Sequence, residues 1–390
     1  MLNNEYPPLG GGTATVNQEL IKRFSCESDL RIDVVTCGEA EKNFIDAPAE
    51  NIRIHKLSTR QRCIHHASNA DLLYFAWKAF FYSRRLHRRK EFDLCFAWSA
   101  LPAGAIARAL YGLDGLRYVV RVGGPDIPGF ERRYARLYPL LTPTICSVWK
   151  NAEAVIAKCQ PEAELIKKVL PQLEISIIRN GVDTDVFKPA ETRIDSGRVQ
   201  IICVARLIER KGQRTLLQAF HELLQEGLNV ELTLVGEGDS EKSYREYVHE
   251  LGLADRVKFL GYQPREKLVE LYRQSDIFVL ASENEGMSVA SLEALSSGLP
   301  LVITSTPGSE LLVERNENGF LFEPGDVHKL TESLRTLIGD HHQRKEMALA
   351  SRNRAERLSW EGVANEYKTL FGELSTSRSY SSFATTHPGH

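Results

Sequence analysis

Residues 277–300, IFVLASENEGMSVASLEALSSGLP, place two glutamates eight positions apart, Glu285 and Glu293. The apolar run 277–281 reads as a buried strand and the polar run 282–287 as a loop. A helix pattern starts near Ser288 and stops before Gly298 and Pro300. Glu285 therefore falls in the loop and Glu293 on the helix. A helix N-terminus at the carboxyl end of a strand presents free amides and the positive end of the helix dipole. Here those amides belong to Gly286, Met287 and Ser288. They suit an anion, whereas two carboxylates do not. Carboxylates suit hydroxyl groups flanking the anion.

Other strands of this half end in similar chemistry. The strand at 200–205 leads to Arg206 and then Lys211-Gly212, and that at 231–235 leads to Gly236-Glu237-Gly238-Asp239. The strand at 257–260 leads to Gly261-Tyr262. Two cations and a helix N-terminus suit a diphosphate. Acidic side chains suit vicinal hydroxyls, as they do on ribose. Together these groups describe a site for a nucleoside diphosphate bearing a sugar.

The elements that must position these groups alternate strand and helix throughout, which implies parallel, doubly wound sheets. The first half shows strands at 31–37, 52–57, 92–98, 117–122, 154–157 and 175–178. A glycine run, Gly10-Gly11-Gly12, opens a helix at 13–23. Residues 1–5 read as the end of a strand; a central strand of ordinary length needs residues before Met1, so this strand is either very short or cut. The polar stretch 188–198 reads as a linker, after which the alternation restarts. The expected architecture is α/β, two Rossmann-like domains facing a cleft. The first spans 1–187 with a returning helix at 360–374, the second 188–359, and 375–390 reads as a disordered tail rich in Ser and Thr.

Composition sets bounds. The 390 residues are 43% hydrophobic and 26% charged, ordinary for a globular protein. No run approaches the ~18 apolar residues of a membrane helix, and there is no secretory signal pattern. Seven scattered cysteines without a CxxC pair fit a reduced, cytoplasmic protein. Residues 1–185 carry 25 Lys and Arg against 21 Asp and Glu, within a chain of net charge −2. That excess suits an anionic surface or substrate but is too weak for nucleic acid.

The ordered motifs resemble the retaining GT-B glycosyltransferases of the GT4 group. They are PPLGGGTATVNQEL (7–20), VRVGGPD (120–126), NGVDTDVF (180–187), VARLIERKG (204–212), VGEGD (235–239), the 259–282 stretch, EGMSVASLEALSSGLP (285–300) and 307–326. The resemblance implies that Arg206 and Lys211 neutralise the diphosphate leaving group, the largest catalytic contribution. It implies that Glu285 holds donor-sugar hydroxyls with the Gly286 and Met287 amides nearby, and that Glu293 holds the ribose. Gly11 and Gly12 approach the donor phosphate, Gly236 and Gly238 belong to the donor side, and Tyr262 lines the base. No cofactor and no metal are implied. The reaction it implies is front-face transfer with retained configuration and neither glutamate as nucleophile. The donor it implies is a UDP- or GDP-sugar, and the acceptor a glycan or polyprenyl-linked molecule of surface polysaccharide or glycolipid synthesis.

The chain departs from the family at Trp98, where many members have a histidine near the acceptor hydroxyl. An indole cannot move a proton as imidazole does. The acceptor side then falls to Arg121, Asp126 or the donor phosphate, and Trp98 stacks on a sugar or packs in the core. Asp183-Thr184-Asp185 reads as a D-x-D metal signature of a different fold but lies in a turn. His65-His66 and His341-His342 have no partners at ligand spacing. Residues 77–90, WKAFFYSRRLHRRK, combine aromatic and basic residues at helical spacing. They read either as a helix lying on an anionic membrane, on the inner face of the plasma membrane, or as an ordinary surface helix. Two rival functions remain, a non-catalytic nucleotide-sugar-binding subunit and a sugar-nucleotide epimerase or phosphorylase of the same fold.

Overall fold

The computed structural model describes residues 1–39, 41–59, 68–130, 134–191 and 197–383. Cys63, His65-His66 and the tail beyond 383 lie outside them. The chain divides into two units, Met1–Arg179 with Trp360–His390, and Asn180–Ser359.

In the first unit, β1 (Ile32–Gly38) pairs in parallel with β3 (Ile52–Ser58), and β2 (Phe44–Ala49) adds antiparallel at the edge. The strands β4 (Cys95–Trp98), β5 (Tyr118–Arg121), β6 (Ala154–Ala157) and β7 (Ile175–Ile177) form a parallel row. The short first strand joins the two rows. Leu2 bridges Val35 and Ala97, its N–H donating to Phe96 O at 2.8 Å and its carbonyl accepting from Trp98 N at 2.9 Å. The strand order reverses beside Leu2, so the glycine loop and the loop after β4 flank the unit's switch point. The glycine loop leads into α1 (Gly12–Phe24).

Three helices follow on this unit: α2 (Asn69–Lys90), α3 (Ala105–Asp114) and α4 (Tyr138–Lys150). A fourth, α5 (Gln160–Val169), connects β6 to β7. Sequence patterning misses β2 and α4 for physical reasons. The strand β2 is an exposed edge containing Asp and Pro, with no buried face to impose alternation. The helix α4 contains Pro139 in its first turn, where proline is tolerated, and Pro143 in its interior, and both read as breakers in sequence.

The second unit is a six-stranded parallel sheet. Its strands are β8 (Val199–Val204), β9 (Val230–Val235), β10 (Val257–Phe259), β11 (Ile277–Leu280), β12 (Leu301–Thr304) and β13 (Gly319–Phe322). Their spatial order is β10-β9-β8-β11-β12-β13. Strands such as IICV, IFVL and LVIT are apolar without alternation because helices cover both faces. The covering helices are α6 (Gln213–Gln225), α7 (Glu241–Glu250), α8 (Arg265–Gln274), α9 (Val289–Ser296), α10 (Val327–Gly339) and α11 (His341–Glu356). The face of α6 shows the pattern, with Leu216, Leu217, Phe220 and Leu223 buried at helical spacing.

Two expected boundaries are corrected. Residues 180–187 pack with the second unit rather than the first. Val182 N–H donates to Leu358 O at 2.8 Å, and Phe187 is buried in the second core. The final helix α12 (Trp360–Phe383) runs past the expected end at 374, so the first part of the presumed tail is helical. The Ser375 hydroxyl bonds back to Phe371 O at 2.8 Å, and Arg117 Nη1 donates to Leu374 O at 2.9 Å. The Ser375 side chain thus bonds within the helix instead of competing with it.

An aromatic cluster holds α12 to the first unit. Phe96 lies 5.4 Å from both Tyr367 and Phe371, and Phe371 lies 6.2 Å from Phe24. Lys368 pairs with Glu27. Arg121 Nε donates to the Tyr367 hydroxyl at 2.8 Å. Among the described residues no helix is long and apolar enough to cross a membrane. Denaturant unfolding tests the cluster. Tyr367→Ala should cost about 3–5 kcal/mol through lost core volume. Tyr367→Phe should cost about 1–3 kcal/mol, because it removes only the acceptor of a buried guanidinium N–H.

Candidate active site

In the second unit the strand order reverses between β8 and β11, and loops diverge from such a point at the carboxyl edge of the sheet. Backbone contacts zip those two loops together. Glu283 N–H donates to Arg210 O at 2.8 Å, and Gly212, at φ +68°, lies so close that a Cβ would meet Ala281 O at 1.9 Å. This approach carries Lys211 to Glu285. The ammonium lies 2.7 Å from one carboxylate oxygen and 3.1 Å from the other. Lys211 is buried and Glu285 half-buried, so each charge compensates the desolvation of the other. Arg206 is half-buried one loop turn away, and its carbonyl accepts from Gln213 Nε2 at 2.9 Å.

Gly236 and Gly238 have a requirement inside the protein. A Cβ on Gly236 would sit 2.2 Å from Ala205 O, and one on Gly238 would sit 2.3 Å from Leu207 O. Leu207 N–H donates to Glu237 O at 2.9 Å. Both glycines let the loop after β9 lie on the Arg206 loop. Tyr262 is 50% exposed, and its N–H donates to Glu237 Oε1 at 3.3 Å.

The loop that carries Glu285 is gripped from two sides. Asn180 Nδ2 donates to Met287 O at 2.9 Å, and its backbone N–H lies 3.3 Å from Met287 Sδ. Gly308 packs on Gly286 so tightly that a Cβ would fall 1.2 Å from the Gly286 carbonyl oxygen. Ser288 then caps α9, its hydroxyl accepting from Ser291 N at 3.2 Å. Glu293 lies one turn on, only 8% exposed, with Oε2 accepting from the Tyr272 hydroxyl at 3.0 Å. Burial, and next the Glu293 carboxylate, push the Tyr272 hydroxyl well above its usual pKa, so it stays a donor.

Asn180 and Tyr272 contact site residues yet are absent from the sequence candidates. Asn180 was legible as part of a turn and of the NGVDTDVF motif, neither of which pointed to Met287. For Tyr272 the signal was a hydroxyl on the apolar face of a helix, where a buried Tyr usually finds a polar partner. Asp183 of the D-x-D stretch accepts from Val186 N at 3.3 Å and pairs with Arg265 at 3.2 Å. Among the described residues no group of three or more His, Cys, Asp or Glu is placed to hold a metal ion.

In the first unit, Trp98 is 1% exposed, 5.1 Å from Phe96, with the Arg121 guanidinium 4.9 Å over its ring. The alternative of core packing is therefore the one realised. Arg121 is buried with it. The Asp126 carboxylate joins two loops, accepting from Ala100 N at 2.5 Å and from Gly123 N at 2.7 Å. Burial pushes its pKa up against those bonds. The Gly11 N–H donates to Glu5 Oε2 at 3.3 Å. A Cβ on Gly11 would meet nothing within 4 Å, whereas Gly10, at φ +104°, abuts Glu5. Gly12 is the first residue of α1, whose N-terminus has no side-chain cap.

Residues 186–354 match the family described as glycosyl transferases group 1, and residues 10–186 match glycosyltransferase family 4. Together the two matches span residues 10–354, so the chain belongs to the GT4-type glycosyltransferases, and its fold is the two-domain α/β fold of GT-B glycosyltransferases. It is 30% identical over 271 residues to the amylovoran biosynthesis glycosyltransferase AmsK of Erwinia amylovora. That alignment covers 65% of this chain and 63% of that protein, so just under two thirds of the relative's length is matched. Sucrose-phosphate synthase from Thermosynechococcus elongatus shares the fold with a TM-score of 0.84 at 19% identity, covering 94% of each chain. Anabaena HepE in complex with UDP and glucose gives a TM-score of 0.75 at 20% identity, covering 95% of this chain and 98% of that one.

The grip on the Glu285 loop is testable by alanine at two glycines. Gly308→Ala should destabilise the protein by at least about 1–3 kcal/mol, the usual cost of overpacking, and open residues 285–288 to proteolysis. Gly339→Ala, where a Cβ meets nothing within 4 Å, should leave thermal stability within about 0.5 kcal/mol of the parent.

Proposed function

We propose that this chain transfers a hexosyl group from a UDP- or GDP-sugar to a glycan or polyprenyl-linked acceptor. The configuration is retained, and the product belongs to cell-surface polysaccharide or glycolipid synthesis. The observation that carries the reading is the Lys211–Glu285 pair at the switch point, with Glu293 on the helix that follows. Anion and polyol chemistry meet there, as a nucleoside diphosphate sugar requires.

In this reading the diphosphate is neutralised by Arg206, Lys211 and the amides of Gly286, Met287 and Ser288, which makes it a competent leaving group. Glu285 turns one face of its ion pair to the sugar hydroxyls and Glu293 accepts from the ribose. Tyr262, at the carboxyl end of β10, lies under the base. Gly236 and Gly238 shape the loop beside the diphosphate. In the first unit the resemblance gives Gly11 and Gly12 to a phosphate; the start of α1 there has no side-chain cap, although the Gly11 N–H is already bonded to Glu5 Oε2. The acceptor oxygen attacks the anomeric carbon on the face the diphosphate leaves, and its proton passes to the departing phosphate oxygen. Neither glutamate serves as a nucleophile, a reading supported by the ammonium bound to both oxygens of Glu285. Arg206 and Lys211 supply the charge that a metal supplies elsewhere, and no cofactor takes part. Asp126 holds the loops of the acceptor side in place, and Trp98 with Arg121 forms the floor beneath them.

The similarity to HepE, solved with UDP and glucose, supports a uridine donor, and the similarity to AmsK supports a polysaccharide acceptor. A thermal-shift screen of UDP-, GDP- and ADP-sugars tests the donor site. The parent should be stabilised by a UDP- or GDP-sugar, and both Glu293→Ala and Arg206→Ala should lose about tenfold or more in affinity, since each removes a charge-assisted bond. Unchanged affinity in both variants would overturn the assignment. The buried Trp98 favours a second reading, a subunit that binds donor without transferring it. Binding without nucleotide release in the presence of lipid-linked and glycan acceptors would select that reading.

The helix α2 supports contact with an anionic membrane from the cytoplasmic side. Leu73, Trp77 and Phe81 are exposed at four-residue spacing, Trp77 by 61%, and exposed Arg85 and Arg89 continue the same spacing. Arg84 and Arg88 are paired with Asp114, and Lys90 with Asp33. Vesicle co-sedimentation should therefore separate the arginines. Arg85→Glu with Arg89→Glu should weaken binding to anionic vesicles by on the order of tenfold or more, at ~1 kcal/mol per lost basic contact. Equal sedimentation of parent and variant would sink the membrane contact.

A further inference from the structure

We propose that Tyr272 is the positioning residue that orients the Glu293 carboxylate for ribose, so that the enzyme's preference for ribonucleotide donors is set from the core of α8. The inference rests on the donor reading of Glu293 given above.

The geometry is specific. The Tyr272 ring is fully buried, 5.9 Å from Phe187 and 6.3 Å from Phe278, so it has little freedom to turn. Its hydroxyl reaches the first two turns of α9, 3.0 Å from Glu293 Oε2 and 3.2 Å from Ala290 O. A hydroxyl has one proton to give, and the carboxylate is the stronger acceptor because it is charged. An exposed Glu on a helix samples several rotamers at little cost. Glu293 is held by a donor that is itself locked in a close-packed core, so its carboxylate plane is set before a ligand arrives. Pre-organisation of this kind improves binding by removing ordering costs from the bound state. An apolar core residue at position 272 would fill the same volume and remove this hydrogen bond from the carboxylate.

The experiment compares ligands that differ only at the ribose. Calorimetry gives the affinities of UDP and 2′,3′-dideoxy-UDP, and of the corresponding GDP pair, for the parent, Tyr272→Phe, Glu293→Ala and the double variant. The ratio within each pair is read in one protein, so partial unfolding of a variant does not distort it. The parent should prefer the ribonucleotide by about tenfold or more, as expected for hydrogen bonds to a charged group. Tyr272→Phe should bring that ratio to within about threefold while the dideoxy affinity stays put, and should add nothing in the Glu293→Ala background, the signature of a coupled pair.

If Tyr272→Phe weakens both nucleotides equally while Glu293→Ala alone abolishes the preference, Tyr272 is only a core aromatic and the inference falls, with the donor reading intact. If the parent shows no preference, or Glu293→Ala retains it, the ribose role of Glu293 falls and takes the inference with it. A parent that binds neither UDP nor GDP overturns the donor reading itself and this inference with it.

Discussion

The Lys211 ammonium sits against both oxygens of Glu285, and the carboxyl edge of the second sheet depends on that contact. The two residues are 74 positions apart in the chain. They meet because β8 and β11 are neighbours where the strand order reverses, and because the loops that leave those strands touch through their backbones. Removing one partner of such a pair leaves the other charge less well compensated, which is destabilising. The two residues therefore depend on each other at this sheet edge.

Backbone contact is the device that makes this possible, and glycine is its means. Gly212 against Ala281, Gly236 against Ala205, Gly238 against Leu207 and Gly308 against Gly286 each bring a main chain to where a Cβ would collide. Glycines in a phosphate-binding loop are ordinarily explained by the ligand's need for close approach. Here their first requirement is within the protein, where loops press on loops. The room they create at the sheet edge is a consequence of that stacking. Gly11 differs, because no protein atom demands its missing side chain.

The first unit applies polar groups to another end. The three acceptor-side candidates, Trp98, Arg121 and Asp126, are all buried. Arg121 stacks on the Trp98 indole and bonds the Tyr367 hydroxyl of the last helix, while Asp126 joins the loops after β4 and β5 through two amides. These residues stiffen the edge of the first sheet. On the outside of the same unit, α2 exposes aromatics and then arginines at four-residue spacing, while Arg84 and Arg88 pair with Asp114, Lys90 with Asp33, and Lys78 bonds the Ser58 carbonyl.

Most of the α/β alternation was legible in the sequence, because both-face burial makes a parallel strand a continuous apolar run and helix covering makes a 3.6-residue period. The glutamate spacing, Arg206, Lys211 and the glycine loops were legible too, since each follows a strand directly. Residues 180–187 were misassigned because a turn read from sequence does not reveal which core accepts Val182 and Phe187. The edge strand β2 and the proline-containing α4 left no periodic trace. By itself the sequence determined which chemistries stand at the ends of which strands, for these depend on local pattern. Tertiary structure alone decided that Lys211 meets Glu285, that Trp98 is core, that arginines on one helix divide into paired and exposed, and that Tyr272 reaches Glu293. Each of these depends on the distance between side chains far apart in the chain, and only packing sets such distances.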